Sequence, residues 1–147
     1  MKVAAFQFHG SDDVKENLLA IERGIEKGSK AGVRLLMTQE CAICGYPPVE
    51  TNKVSSIDFG TIANAVERIK ELAIKNDMYI GLGTIIPDDG KYFNSIALIS
   101  AKQENPAPYS KRAANSEWTC QSQRVSKPIW KNSPREANTK IQLRSQS

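Results

Sequence analysis

The sequence predicts an α/β domain, on three observations. Strand-like apolar runs at residues 2–8 and 33–38 flank a stretch with helical periodicity, the strand, helix, strand order of a crossover unit within one sheet. A second helix-periodic stretch then leads into two more strand-like runs joined by a tight turn, so the pattern reads βαβαββ. Finally, 147 residues with 40% apolar and 24% charged side chains suit one globular domain and are too few for a multidomain machine.

Each element follows from its residues. The run from Lys2 to Phe8 is short, apolar and bounded by His9-Gly10-Ser11, as a strand buried on at least one face should be. Asp12 and Asp13 then supply a helix cap and first-turn anions, and Val14, Leu18, Leu19, Ile21 and Ile25 trace one apolar face before Gly28 and Gly32 close the segment. Val33 to Thr38 restores a strand that ends at Gln39-Glu40. From Cys41 to Gly60 the chain is irregular, because the adjacent prolines of Gly45-Tyr46-Pro47-Pro48 propagate neither helix nor central strand. Loops of this length usually serve a function.

The spacing of Ile62, Val66, Ile69, Leu72 and Ala73 predicts a helix over 61–76 that Asp77 ends, with Glu67 and Glu71 set to pair with Lys70 and Lys75. Strands are expected at 78–86 and 92–101, joined by Pro87-Asp88-Asp89-Gly90, where Asp-Gly supplies the positive φ of a hairpin. After Gln103 the periodicity fails and no element is predicted.

Composition excludes several function classes. No apolar run reaches the roughly 18 residues that a membrane span needs, and the opening residues turn polar too soon for a secretory signal. The cytosol is the expected compartment, and a membrane partner is not expected. The odd number of cysteines, three, fits thiols in a reducing compartment better than a disulfide framework. Residues 1–110 carry 12 Lys and Arg against 14 Asp and Glu, a net charge of −2, whereas 111–147 carry 8 against 2, a net charge of +6. The basic excess therefore sits in a tail with four aliphatic residues, Val125, Ile129, Ile141 and Leu143, which reads as a solvated or disordered end. Without interleaved aromatics, a nucleic-acid partner is not expected.

Glu40 is the leading candidate for chemistry, because a carboxylate at the carboxyl end of a buried strand lies where α/β sheets place their ligands. Cys41-Ala42-Ile43-Cys44 has the C-x-x-C spacing. Zinc would need four ligands, and Cys120 and the lone His9 offer no paired spacing. A thioredoxin-like dithiol would open a helix, whereas Gly45-Tyr46-Pro47 follows here. His9 reads as a strand-end histidine without a catalytic part, and Gly81-Leu82-Gly83 lies inside a strand, so it is no phosphate-cradling loop.

The ordered set Val3-Ala4-Ala5-Phe6-Gln7, Asn17-Leu18, Ala31-Gly32-Val33-Arg34-Leu35-Leu36, Glu40 and Gly45-Tyr46-Pro47-Pro48 resembles the opening of the nitrilase superfamily of carbon-nitrogen hydrolases. The similarity runs on through Gly81-Leu82-Gly83, the stretch from Tyr92 to Ile99, and Tyr109-Ser110-Lys111. It thus divides the chain into an incomplete nitrilase-like domain, 1–111, and a basic tail, 112–147. One departure lies within it: Gln39 stands where the family commonly has proline.

The resemblance implies an α-β-β-α sandwich, here incomplete, and a Cys-Glu-Lys triad that hydrolyses small amides or nitriles through a thioester, without cofactor or metal. By position Glu40 matches the general base and Lys111 the lysine. Such a base deprotonates the thiol, and an ammonium stabilises the oxyanion that forms when the thiolate attacks.

The family nucleophile lies some thirty or more residues beyond the lysine, in an apolar stretch ending in cysteine. Cys120 is too near Lys111 and follows no strand-like run, so the thiol is missing and an inactive protein is expected. Cys41 and Cys44 do not match that position either. A shifted reading frame after residue 111 would account for this: one codon set for Ile129-Trp130-Lys131-Asn132 reads Phe-Gly-Lys-Ile in the next frame, similar to the family segment before the nucleophile. The alternatives are a non-catalytic binding or association module and a small dithiol oxidoreductase. Homo-oligomerisation stays open.

Overall fold

Two aspartates start the two long helices. Asp13 accepts a hydrogen bond from the Lys15 amide at the head of α1 (Val14–Lys30), and Asp58 accepts from the amides of Gly60 and Thr61 at the head of α2 (Phe59–Asn76). Each satisfies amides that a first helical turn leaves without partners. Asp77 closes α2 in the left-handed region, with φ 49°. The structure is a computed structural model that describes residues 1–47 and 54–100 and the backbone of 107–114.

The strands are β1 (Val3–Phe6), β2 (Leu35–Thr38), β3 (Tyr79–Asp88), β4 (Lys91–Ser100) and β5 (Ala107–Ala114), and a 3-10 turn spans Val54–Ser56. They form one sheet in the order β1-β2-β3-β4-β5. β1, β2 and β3 are parallel neighbours, as a crossover by each helix requires, and β4 and β5 add as antiparallel hairpin strands. Asp89 and Gly90, with φ 45° and 69°, make the two-residue turn that joins β3 to β4.

The register sorts the sheet into two faces. Ala4, Leu36, Ile80, Leu82, Ala97 and Ile99 share the face on which both helices pack, through Ile21 and Ile25 of α1 and Ile62, Ile69 and Ala73 of α2. Each fully buried Ile or Leu there contributes about 1.5–3 kcal/mol. The other face carries Val3, Ala5, Leu35, Met37, Ile96 and Leu98, with Val3 44% and Leu98 37% exposed. One helical layer and one sheet are therefore in place, an incomplete form of the expected α-β-β-α sandwich.

Several local expectations change. Leu19, assigned to the apolar face of α1, is 54% exposed. Glu71 pairs with Arg68 at 3.0 Å, while Glu67 pairs with Lys70 as expected, at 3.7 Å. Pro87 is a strand residue, opposite Tyr92, beyond the part of β3 that β2 pairs, so its missing N–H costs no bond to β2. The largest change is β5, which falls where no element was predicted. Its sequence, APYSKRAA, has little strand propensity, and pairing with β4 recruits it; Pro108 is tolerated because β5 lies at the edge of the sheet among the described residues. The expected tail beyond residue 114, with Cys120 and the stretch proposed to be frame-shifted, lies outside the described residues.

Candidate active site

Glu40 follows the last residue of β2 by two positions and is solvent-exposed, while the four residues after it are buried. An exposed carboxylate on a buried backbone is held firmly, and the hydrogen bonds show how. The Gly83 amide donates to the Thr38 hydroxyl oxygen at 2.9 Å, and that hydroxyl donates to the Gly81 carbonyl at 3.3 Å, fastening the end of β2 to β3. On the other side, the Gln39 side chain accepts from the Phe8 amide at 2.9 Å and donates to the Phe8 carbonyl at 2.7 Å.

The segment after Glu40 is fixed as well. Cys41 takes φ 50°, unusual for a residue with a side chain, and the Cys44 amide donates to the Cys41 carbonyl at 3.1 Å to close a turn. The Ile43 amide donates to the Gly83 carbonyl at 3.3 Å, and the Asn17 side-chain amide of α1 donates to the Ile43 carbonyl at 3.3 Å. Asn17, only 1% exposed, also holds both backbone groups of Ser11. Gly83 must lack a side chain, because a β-carbon there would collide with the Gln39 carbonyl and sit 3.0 Å from the Cys41 nitrogen.

Lys111 belongs to β5. Ser110 lies opposite Ser95 and Arg112 opposite Asn94, so Lys111 is the extra residue of a β-bulge. Following the register across β4 puts it at the level of Thr84 and Ile85, at the same end of the sheet as Glu40. The two strands are three places apart, a lateral backbone separation of roughly 14 Å at ordinary strand spacing. Cys41 and Cys44 are buried, at 0% and 2% exposure, and sit in a turn rather than at the head of a helix, so neither presents a thiol for exchange with another protein. Among the described residues no group of three or more His, Cys, Asp or Glu could hold a metal ion. No helix among them is long and apolar enough to cross a membrane.

The residues that immobilise Glu40 carried no catalytic signal in the sequence. In the sequence Gln39 marks only a departure from the family, and Asn17 only a part of the resemblance. Gly81-Leu82-Gly83 held the one usable clue, since glycines inside a strand mark a close approach by another backbone.

Comparison with known proteins places these features in context. The chain matches the NitFhit protein of C. elegans with a TM-score of 0.63 at 23% identity, covering 74% of this chain and 27% of that one. It matches the NitN amidase of Nesterenkonia sp. AN1 with a TM-score of 0.67 at 20% identity, covering 84% of this chain and 50% of that one. A variant of the AN1 amidase in complex with acrylamide gives 0.65 at 21% identity, covering 76% and 42%. The chain thus spans half or less of these structures, and the likeness is one of fold. No curated protein sequence matches it. The model of the carbon-nitrogen hydrolase family matches residues 2–143, extending past Lys111 into the stretch that the sequence assigned to a tail. The chain belongs to the carbon-nitrogen hydrolase family.

Proposed function

We propose that this chain carries the general base and the cation of an amide- or nitrile-hydrolysing site, Glu40 and Lys111, and does not turn over substrate by itself. The observation that supports this reading best is the immobilised backbone beneath an exposed Glu40. A general base has to be held within hydrogen-bond reach of the proton it moves, and four separate contacts, from Phe8, Gly81, Gly83 and Asn17, fix the segment that bears it.

In the complete reaction Glu40 takes the proton of a cysteine thiol, and the thiolate forms a bond to the amide or nitrile carbon. For an amide, the Lys111 ammonium stabilises the oxyanion. Collapse of the tetrahedral intermediate breaks the carbon–nitrogen bond as Glu40 returns the proton to the departing nitrogen. Water, deprotonated by Glu40, then hydrolyses the thioester. On this reading none of Cys41, Cys44 and Cys120 supplies the sulfur for that step, and a carboxylate with an ammonium cannot form the acyl-enzyme.

Ammonia release from acetamide, propionamide and a small nitrile, measured on the full chain beside Glu40→Gln, tests the reading. No release above background is expected from either protein. Turnover lost in Glu40→Gln would overturn the inactivity and leave the role of Glu40 standing. Turnover indifferent to Glu40→Gln would overturn that role.

A non-catalytic association module is the second reading, and the apolar sheet face that carries Val3, Met37 and Leu98 favours it. Under this reading the chain self-associates in sedimentation at micromolar concentration and Leu98→Glu shifts it towards monomer. A wild-type protein that sediments as a monomer would remove the support that the face lends to self-association.

A further inference from the structure

We propose that Cys41 and Cys44 are an oxidation site: a peroxide, admitted through the cleft between the heads of α1 and α2, converts them into a disulfide that fixes the turn carrying Glu40. The two thiols take no part in the chemistry assigned to Glu40 and Lys111, yet they sit next to that glutamate. The Cys44 amide bonds the Cys41 carbonyl at 3.1 Å, which makes them the first and last residues of a turn. Residues so placed have α-carbons less than about 7 Å apart, largely within the span a disulfide bridges. The Cys44 thiol already leans back along the turn, donating to the Cys41 carbonyl at 3.7 Å.

Access differs between the two. Cys44 lines a cleft of about 330 Å³ walled by Asp12, Asp13, Lys15, Asp58 and Thr61, whereas Cys41 is fully buried and takes no part in that lining. That asymmetry orders the steps. The Cys44 sulfur attacks one oxygen of the peroxide, the O–O bond breaks, and Cys44 becomes a sulfenic acid as water or an alcohol leaves with the second oxygen. The Cys41 sulfur then attacks the Cys44 sulfur and water departs with the sulfenic oxygen; the Cys44 thiol proton has left with the water or alcohol of the first step, and the Cys41 thiol proton leaves with the water of the second. Two electrons pass from the sulfurs to the peroxide. Because the second step is intramolecular, burial of Cys41 does not prevent it.

The consequence follows from the position of Cys41. Its nitrogen packs against Gly83 and its φ is 50°, so a bond from its side chain to Cys44 stiffens the residues that directly follow Glu40. Formation of the bond is independent of what Glu40 does, whereas its regulatory meaning rests on the reading of Glu40 as a general base.

Hydrogen peroxide treatment of the full chain, followed by alkylation, trypsin digestion and mass spectrometry, tests the proposal. Cys41 and Cys44 share the fragment 35–53. Oxidation should lower the alkylated thiols from three to one and leave that fragment lighter by the two hydrogens of a disulfide, about 2 Da. Dithiothreitol should restore all three. Cys44→Ser should abolish the mass change, while Cys120→Ser and Glu40→Gln should keep it. In the oxidised protein, amide exchange over residues 40–44 should slow by about tenfold or more. Alkylation of both thiols after peroxide, or disulfides made only through Cys120, would overturn the site. A bond without slower exchange would overturn the stiffening.

Discussion

The side-chain amide of Gln39 spends both its functional ends on Phe8, accepting from the Phe8 amide at 2.9 Å and donating to the Phe8 carbonyl at 2.7 Å. β1 and β2 stop pairing at Phe6 and Thr38, and this side chain continues their connection, from one residue past Thr38 to two past Phe6. It therefore supports the backbone immediately before Glu40, where the family commonly has a proline. Gln39→Ala removes both bonds from a partly buried site and should cost about 1–3 kcal/mol. Gln39→Glu keeps an acceptor, loses the donor and should be no better. Urea unfolding checks both, and a midpoint unchanged in Gln39→Ala would show that the amide carries no such support.

Gly83 is a second point of failure. A methyl group there meets the Gln39 carbonyl and the Cys41 nitrogen, both backbone atoms that cannot swing aside. Gly83→Ala should therefore cost about 3 kcal/mol or more, at the upper end of overpacking effects. Gly90→Ala is the control, because open space surrounds Gly90 and only its φ of 69° opposes a side chain. It should cost about 1–2 kcal/mol. A Gly83→Ala protein as stable as Gly90→Ala would mean that the segment bearing Glu40 does not rest on β3.

Much of this layer was legible in the sequence. Helical periodicity located α1 and α2, aided for α1 by Asp12 and Asp13 ahead of the run, and Asp89-Gly90 located the hairpin, since each signal acts within a few residues; the Asp58 cap of α2 shows only in the structure. The position of Glu40 at a strand end was equally local. What could not be read was long-range: β5 exists because β4 offers it a paired edge, and nothing in APYSKRAA announces that. The clasp of Gln39 on Phe8 and the reach of Asn17 to Ile43 join residues 31 and 26 positions apart, and an amide side chain carries no mark of its partner. The exposure of Leu19 shows the same limit, because periodicity gives a face and the neighbouring elements decide how wide a strip is covered.

Asn17 provides the test of the remaining support. Its side chain satisfies the Ser11 amide and carbonyl and the Ile43 carbonyl within a buried site. Asn17→Leu fills the volume but strands all three groups, and should destabilise by about 2–4 kcal/mol. Asn17→Asp retains the acceptor for the Ser11 amide, loses both donated bonds and places a charge beside two carbonyl oxygens. It should be at least as costly near neutral pH and recover partly under mild acid, as protonation removes the charge. Equal stability of Asn17→Leu and wild type in urea would sink this assignment.

Asp58 sets an acid limb on the stability of α2. The Thr61 hydroxyl, donating at 2.6 Å, is the main cause that holds the Asp58 carboxyl below its ordinary range, helped by the amides of Thr61 and Gly60. A carboxyl with a lower pKa folded than unfolded adds stability that is fully present above the unfolded value and disappears as pH falls through the folded one. Asp58→Asn keeps a capping oxygen but cannot titrate. The wild-type advantage over Asp58→Asn should accordingly hold at neutral pH and shrink as the pH drops below the ordinary aspartate range. Thr61→Val removes the strongest of the bonds and should move the Asp58 titration, followed by carboxyl NMR, upwards towards the unfolded value. A titration unmoved in Thr61→Val would show that the hydroxyl is not what holds the carboxylate down.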